Sequence, residues 1–271
     1  MPLLRTLFRQ VIQDHRRNPV IRAAATLARE FYDAHERPGY AGSGGELRLL
    51  KTLAAAGGSW RMVFDVGANH GLWTRDALPA FPDAEFHLFE IAPPTAEYAR
   101  RLVGADKRVH LHTFGLSDSA GPRTLNYYGA SFDELSTLNT PIVGHPGDYE
   151  PLQVEVQMGD DFLAKHGIAS IDFLKVDAEG SDFQVLKGFG AALERGAVRA
   201  LQFEYTCGTA SLREHHQYLT QRGYRVGKLY SQYVEFFDYE PYREDFPGPN
   251  YVAIHQSETA LIAAVSSKFR R

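Results

Sequence analysis

Two short blocks of this sequence carry residue types that do chemistry, at spacings that allow it. The first is Val63-Phe64-Asp65-Val66-Gly67-Ala68-Asn69-His70-Gly71, an apolar run closed by an aspartate and followed by two nearby glycines. It reads as a strand running into a tight turn and then a helix. Such a turn lets the backbone approach a ligand, and the helix N-terminus suits an anion. Asp65 adds a negative charge that could balance an ammonium. The second block is Asp172-Phe173-Leu174-Lys175-Val176-Asp177-Ala178-Glu179-Gly180-Ser181-Asp182. The period-two pattern of a strand puts Lys175 and Asp177 on one face, with Glu179 just beyond the end. Glu204, closing Ala200-Leu201-Gln202-Phe203-Glu204, brings another carboxylate to the same rim. Carboxylates and a lysine crowded together are costly unless they pair or bind something. A self-satisfied salt bridge is the plain alternative.

A carboxylate at the turn and an ammonium near Asp65 together describe the amino-acid end of an adenosyl sulfonium. Glu90, ending Glu85-Phe86-His87-Leu88-Phe89-Glu90, could accept hydrogen bonds from both hydroxyls of a ribose, and Ile91 follows it. Leu116 and Ser117, after a third strand, stand where an adenine could be flanked. The expected donor contacts are therefore Asp65, Gly67, Ala68, Asn69, Gly71, Glu90, Ile91, Leu116, Ser117 and Asp177. A nicotinamide dinucleotide fits poorly, because its G-x-G-x-x-G fingerprint lacks its middle glycine here and Asn69 takes that place.

If the site removes a proton from a bound acceptor, Asp177, Glu179, Glu204 and His145 are the candidate bases, with Lys175 beside them. His145 lies in Gly144-His145-Pro146-Gly147, in a segment that could form a lid. Asp177 and Glu204 could also hold a divalent cation such as magnesium, although Lys175 can neutralise them without one, and no metal is expected. His110 with His112, and His215 with His216, lack the surroundings of a metal site and read as structural. Tyr127, Tyr128, Phe132, Tyr230 and Tyr233 are candidate lining for an acceptor.

Alternating apolar runs and helical stretches from Arg61 onward imply βαβ units and a mostly parallel sheet. Strands are expected at 62–66, 85–90, 109–114, 171–177 and 200–204, with a late edge strand at 251–255. Helices are expected at 72–80, 95–103 and 182–193, the last opened by a Ser181–Gln184 capping box. The rhythm fails between Gly121 and Gln157, which suggests an inserted hairpin or lid. Three helices at 3–16, 20–35 and 46–56 form an N-terminal extension, giving two regions, 1–58 and 59–271. These helices are expected to pack on the domain or on a second subunit, as in a homodimer. The basic, amphipathic first helix could instead touch a membrane surface.

The chain has 271 residues, 44% hydrophobic and 23% charged, enough for a buried core of ordinary soluble type. A net charge of -4 argues against nucleic acid as the principal partner. Cys207 is the single cysteine, so no intrachain disulfide can form. The arginine-broken N-terminus is unlike a signal peptide, no apolar run approaches bilayer length, and a cytoplasmic location is expected.

Taken together, Asp65 to Gly71, Glu90 and Lys175-Val176-Asp177-Ala178-Glu179-Gly180 resemble the D-V-G-A-N-x-G turn, acidic second-strand end and K-x-D-x-E-G block of the FkbM methyltransferases. Leu186-Lys187-Gly188 and Gly248-Pro249-Asn250-Tyr251-Val252-Ala253 resemble later motifs of that family. The resemblance covers about residues 46–255. It implies a Rossmann-like class I methyltransferase fold with a seven-stranded sheet, S-adenosylmethionine as donor, and a hydroxyl acceptor on a sugar, lipid-linked glycan or natural product. N-methylation, or a non-catalytic adenosyl-binding scaffold, is the alternative. Three positions depart from the pattern: Ile91-Ala92-Pro93 where proline commonly follows the glutamate directly, Gly159 where leucine is expected, and His70 at an often apolar position.

Overall fold

The computed structural model describes residues 18–36, 45–129, 132–139, 149–205, 210–244 and 250–267. Its centre is an eight-stranded sheet built from β1 (Met62–Val66), β2 (Glu85–Phe89), β3 (Val109–His112), β7 (Ile171–Val176), β8 (Val198–Glu204), β9 (Tyr224–Leu229), β10 (Val234–Phe236) and β11 (Asn250–His255). The strand order is β10-β9-β11-β8-β7-β1-β2-β3. Seven of these give the expected class I arrangement, and the short β10 extends its edge. β3, β2, β1, β7 and β8 run parallel, while β11 is antiparallel to both neighbours.

The chain builds β2 and β3 to one side of β1 and later returns to place β7 on the other. That reversal opens a crevice at the strands' C-terminal ends, where ligands of open α/β sheets bind. Parallel central strands are covered on both faces, so their residues are buried throughout. All six side chains of β7 are buried, Asp172 and Lys175 included. Period-two alternation sends Val63 and Phe64 to opposite cores. Phe64 meets Phe162, Leu174 and Phe189, whereas Val63 meets Phe173 and Leu88.

The helices are α1 (Pro19–Glu36), α2 (Gly45–Ala55), α3 (Leu72–Ala77), α4 (Pro93–Val103), α5 (Gly159–His166), α6 (Asp182–Gly188), α7 (Gly190–Glu194), α8 (Leu212–Thr220) and α9 (Thr259–Ser266). α2 is built into the domain, for Leu49, Leu50 and Leu53 belong to the same core as Leu261 and Val265 of α9. On α1, by contrast, Val20, Leu27 and Phe31 are exposed. The expected helix at 3–16 lies outside the described residues. No helix among the described residues is long and apolar enough to cross a membrane.

The single helix expected at 182–193 is instead α6 and α7, broken at Phe189. The break turns the Phe189 ring onto Gly159, where a Cβ would lie 2.5 Å from it. A leucine at 159 could not coexist with that ring, which explains this departure from the family pattern. The irregular region forms a second sheet, ordered β4-β6-β5, from β4 (Gly115–Ser117), β5 (Gly121–Tyr127) and β6 (Glu150–Met158). β5 and β6 pair antiparallel, the inserted hairpin read from the sequence.

Candidate active site

The glycine turn is set by close contact rather than by flexibility. A Cβ on Gly67 would lie 1.7 Å from the Asp177 carbonyl oxygen, so only glycine lets the first block touch the second. Gly71, expected to admit a ligand, packs instead against Ala99 and Val103 of α4. The turn's N–H groups are also engaged. Gly67 and Ala68 donate to the Phe89 carbonyl at 2.9 and 3.0 Å, and Gly71 donates to Ala68 at 2.8 Å. The Asn69 N–H goes to Glu90 Oε2 at 2.8 Å, and the His70 N–H goes to Asn69 Oδ1 at 2.6 Å. The first-turn N–H groups of α3, by contrast, have no intrahelical partner.

Around this turn lies a cavity of about 770 Å³. Of the expected donor contacts, Gly67, Ala68, Asn69, Glu90, Ile91, Leu116 and Asp177 line it. Lys175, Glu179 and Glu204 join them, so residues more than a hundred positions apart in sequence share one space. Asp65, Gly71 and Ser117 are not among the lining residues. Asp65 is fully buried behind the cavity lining, where it accepts a hydrogen bond from Thr74 Oγ1 at 2.6 Å and sits 3.9 Å from Lys175 Nζ. Any influence on a bound ammonium is thus indirect. Ser117 turns its backbone to α6, where a Cβ on Gly188 would meet its carbonyl oxygen at 2.1 Å. His145 lies outside the described residues. None of the candidate acceptor aromatics lines the cavity; Tyr230 and Tyr233 pack on each other, with ring centroids 5.2 Å apart.

Charge at the strand ends is arranged in pairs. Lys175 Nζ donates to Asp177 Oδ2 at 2.9 Å and lies 5.7 Å from the Trp73 ring centre. Burial works against its charge, but Asp177, Asp65 and Glu46 more than offset that and hold its proton above the ordinary lysine range. Lys175 is thus a fixed cation and not a proton acceptor at neutral pH. Burial pushes the Asp65 carboxyl up, tempered by Lys175 and Thr74. Burial also pushes Glu204 well above the carboxylate range, reinforced by the charges of Asp177, Glu179 and Asp182 and a hydrogen bond with Asp177. Glu204 is therefore the carboxyl of this cluster whose ionisation burial most opposes. One carboxylate oxygen from each of Asp177, Glu179 and Glu204 lies within 4.8 Å of the others, an all-oxygen set suited to a hard cation.

Glu90 is buried and held by two backbone donors, Asn69 N and Ala92 N, the latter at 2.8 Å from Oε1. Burial raises its pKa to about 7, partly opposed by those donors. Each oxygen retains a lone pair for a ligand hydroxyl.

The expected Ser181–Gln184 capping box is not formed: Ser181 makes no side-chain cap bond. Asp182 instead reaches back over the preceding loop, accepting from Ala178 N and Gly180 N, each at 3.2 Å. A carboxylate satisfies two N–H groups at once where a hydroxyl satisfies one. Sequence reasoning also passed over Asp133, which comes from the insertion and joins His70 Nε2 at 2.8 Å and Thr95 Oγ1 at 2.9 Å. His70 stood out only as a polar residue at an apolar position, and nothing in the sequence tied it to Asp133. Glu46, Leu47 and Leu50 of α2 line the cavity as well, so the helix assigned to an extension helps to build the site.

A sheet with its reversal point at a glycine turn, and an acidic end to its second strand, defines an α/β protein built for an adenosyl ligand. The chain belongs to the FkbM methyltransferases: the family model described as "Methyltransferase FkbM domain" matches residues 65–226. It is similar to the 2-O-methyltransferase NoeI of Sinorhizobium fredii (strain NBRC 101917 / NGR234), 26% identical over 54% of this chain and 63% of that one. It is also similar to the 31-O-demethyl-FK506 methyltransferase FkbM of Streptomyces tacrolimicus, 30% identical over 47% of this chain and 58% of that one. These matches span about 60% of the relatives' length. Among solved structures, a methyltransferase FkbM from Methylobacillus flagellatus KT is similar with a TM-score of 0.48 and 15% identity, over 73% of this chain and 44% of that one.

Proposed function

We propose that this chain transfers a methyl group from S-adenosylmethionine to a hydroxyl oxygen of a small molecule, with a sugar, lipid-linked glycan or natural product as acceptor class. The observation that carries the reading is one cavity lined by Glu90 and the glycine turn together with the carboxyls of Asp177, Glu179 and Glu204. Both curated relatives quoted above are named for oxygen methylation, which supports a hydroxyl acceptor. The bound donor supplies an electrophilic methyl on a sulfonium. The chain's own contribution is positioning, which is worth up to about 7–11 kcal/mol in ideal cases. Glu90 orients the ribose, the first turn of α3 takes the carboxylate, and Asp177, balanced by Lys175, accepts the acceptor's proton directly or through Glu204.

The three carboxylates favour a second version of the same chemistry, in which a divalent cation replaces the proton on Glu204 and lowers the pKa of the acceptor hydroxyl. A labelled-methyl assay over pooled glycans and metabolites, run with and without a chelator, tests both. Label on an oxygen supports the proposal, and loss of label with chelator selects the cation version. Label only on nitrogen, or none while S-adenosylhomocysteine binds, overturns the hydroxyl acceptor.

A further inference from the structure

The insertion places residues 132–139 across the cavity, and their side chains tie together the two loops that make the site. At one end Asp133 receives His70 Nε2 from the glycine turn and Thr95 Oγ1 from α4, at 2.8 and 2.9 Å. At the other, Thr137 Oγ1 donates to the Glu179 carbonyl at 2.7 Å and Asn139 Nδ2 donates to Ser181 Oγ at 3.2 Å. Behind, the segment is fastened to β5: Asn126 and Thr137 exchange backbone hydrogen bonds of 3.0 and 3.2 Å, and Asn126 Nδ2 donates to the Asn139 carbonyl at 2.9 Å. Asp133, Leu135, Ser136 and Leu138 face the cavity.

Both anchor points coincide with strained backbone. Among the described residues, the non-glycine positions with positive φ are Asn69 at 48° and Glu179 at 46°. Asn69 immediately precedes His70, and Glu179 is the residue whose carbonyl Thr137 holds. Asparagine tolerates the left-handed region through its short polar side chain, but glutamate rarely adopts it and needs outside support. A segment that braces two strained turns, one for the donor and one for the carboxylates, fixes their separation.

We infer that residues 132–139 act as a cross-brace, with Asp133 and Thr137 as positioning residues that hold the donor turn and the Asp177–Glu179 loop in register for S-adenosylmethionine. The inference rests on the donor reading above. Neither residue reacts; each acts through the turn it holds.

The test measures S-adenosylhomocysteine binding by calorimetry, donor KM and kcat, and melting temperature for four variants of the full chain. Thr137→Val and Asp133→Leu remove the hydrogen bonds and should each weaken binding about tenfold, the scale of one lost hydrogen bond. They should also raise the donor KM, with the melting temperature little changed. Thr137→Ser and Asp133→Asn keep a donor and an acceptor respectively and should stay within about twofold of wild type. Combining Thr137→Val with Asp133→Leu should cost less than the product of the single losses, because breaking either end frees the same brace. Wild-type affinity in Thr137→Val and Asp133→Leu overturns the cross-brace while leaving the donor reading intact. So does equal loss in the conservative pair, or loss that merely follows unfolding. An unaltered chain that binds no S-adenosylhomocysteine ends the donor reading and the brace with it.

Discussion

Two clusters of like titratable groups lie on the same sheet and meet opposite fates. Near the C-terminal ends of the strands, burial raises the carboxyl pKa values of Asp65, Glu90, Asp182 and Glu204. On the flank of β2 and β3, burial strips protons from histidines. His87 is lowered to about 3 and His112 to about 4, with neighbouring His166 and His110 adding to the effect. Their rings behave as aromatics. His87 and His112 stack at 5.2 Å with an 8° interplanar angle, share a 3.0 Å nitrogen–nitrogen hydrogen bond, and pack on Phe64, Phe89 and Phe162. Neutral imidazoles satisfy one another, one as donor and one as acceptor, so the flank closes on itself. Carboxylates cannot all do so, and the rim keeps a lysine, crowded carboxyls and an open cavity. Unresolved charge beside empty space marks the place for a ligand.

The sharpest way to break this comparison is to remove the rim's cation. Lys175→Met would leave the buried Asp65 and the half-buried Asp177 without their cation, and breaking a buried pair costs about 3–5 kcal/mol. Urea unfolding should show that loss. A change below about 1 kcal/mol would mean that the carboxylates neutralise themselves by protonation and that Lys175 is dispensable.

Glu204→Gln keeps the shape and the hydrogen-bond donor of a protonated Glu204 but cannot pass the proton on. Turnover should fall by about a hundredfold or more, as for loss of a general acid–base group, with S-adenosylhomocysteine affinity within about twofold. Undiminished turnover would leave Asp177 as the sole proton acceptor at the rim.

For the histidine flank the effect is on stability and has a definite sign. The folded-state pKa values of His87 and His112 lie below the unfolded value, so unfolded chains bind more protons as the pH falls below about 6.5. Stability from this pair is complete above that pH and drains away toward pH 4. Between pH 7 and pH 5 the loss should be about 2 kcal/mol, after discounting for rings that are partly solvated. Denaturant midpoints measured against pH should show the slope, and His87→Phe should flatten it. An unchanged slope in that variant would assign the acid sensitivity to other groups.

Much of this contrast was legible in the sequence, and the illegible part has a physical pattern. Strand-end carboxylates follow from period two and from a fixed sheet topology, so Lys175, Asp177, Glu179, Glu204 and Glu90 could be placed on one rim without coordinates. The direction of Asp65 could not, because the same strand position serves the cavity or Thr74 depending on how α3 packs. Asp133 was invisible for a different reason. Its partners, His70 and Thr95, lie across a chain reversal whose path no local pattern encodes. Of the two glycines, Gly67 makes the tight turn read for it and lines the cavity while admitting Asp177, whereas Gly71, expected to admit a ligand, admits α4. Periodicity reports which face a residue takes, whereas close contact between loops depends on packing.

The smallest predicted effect concerns a hydroxyl that sequence rules would make a helix cap. Two serines precede helices: Ser211 before α8 and Ser181 before α6. Ser211 forms a complete capping box with Glu214, its Oγ accepting from Glu214 N at 3.2 Å while Glu214 Oε2 accepts from Ser211 N at 2.8 Å. Ser211→Ala should therefore cost about 1 kcal/mol, the usual value for a lost N-cap. Ser181→Ala should cost less than about 0.5 kcal/mol, because the Ser181 hydroxyl makes no cap bond and only the Asn139 contact is lost. Chemical denaturation of the two variants side by side decides the matter. Equal losses would show that the Ser181 hydroxyl caps α6 after all.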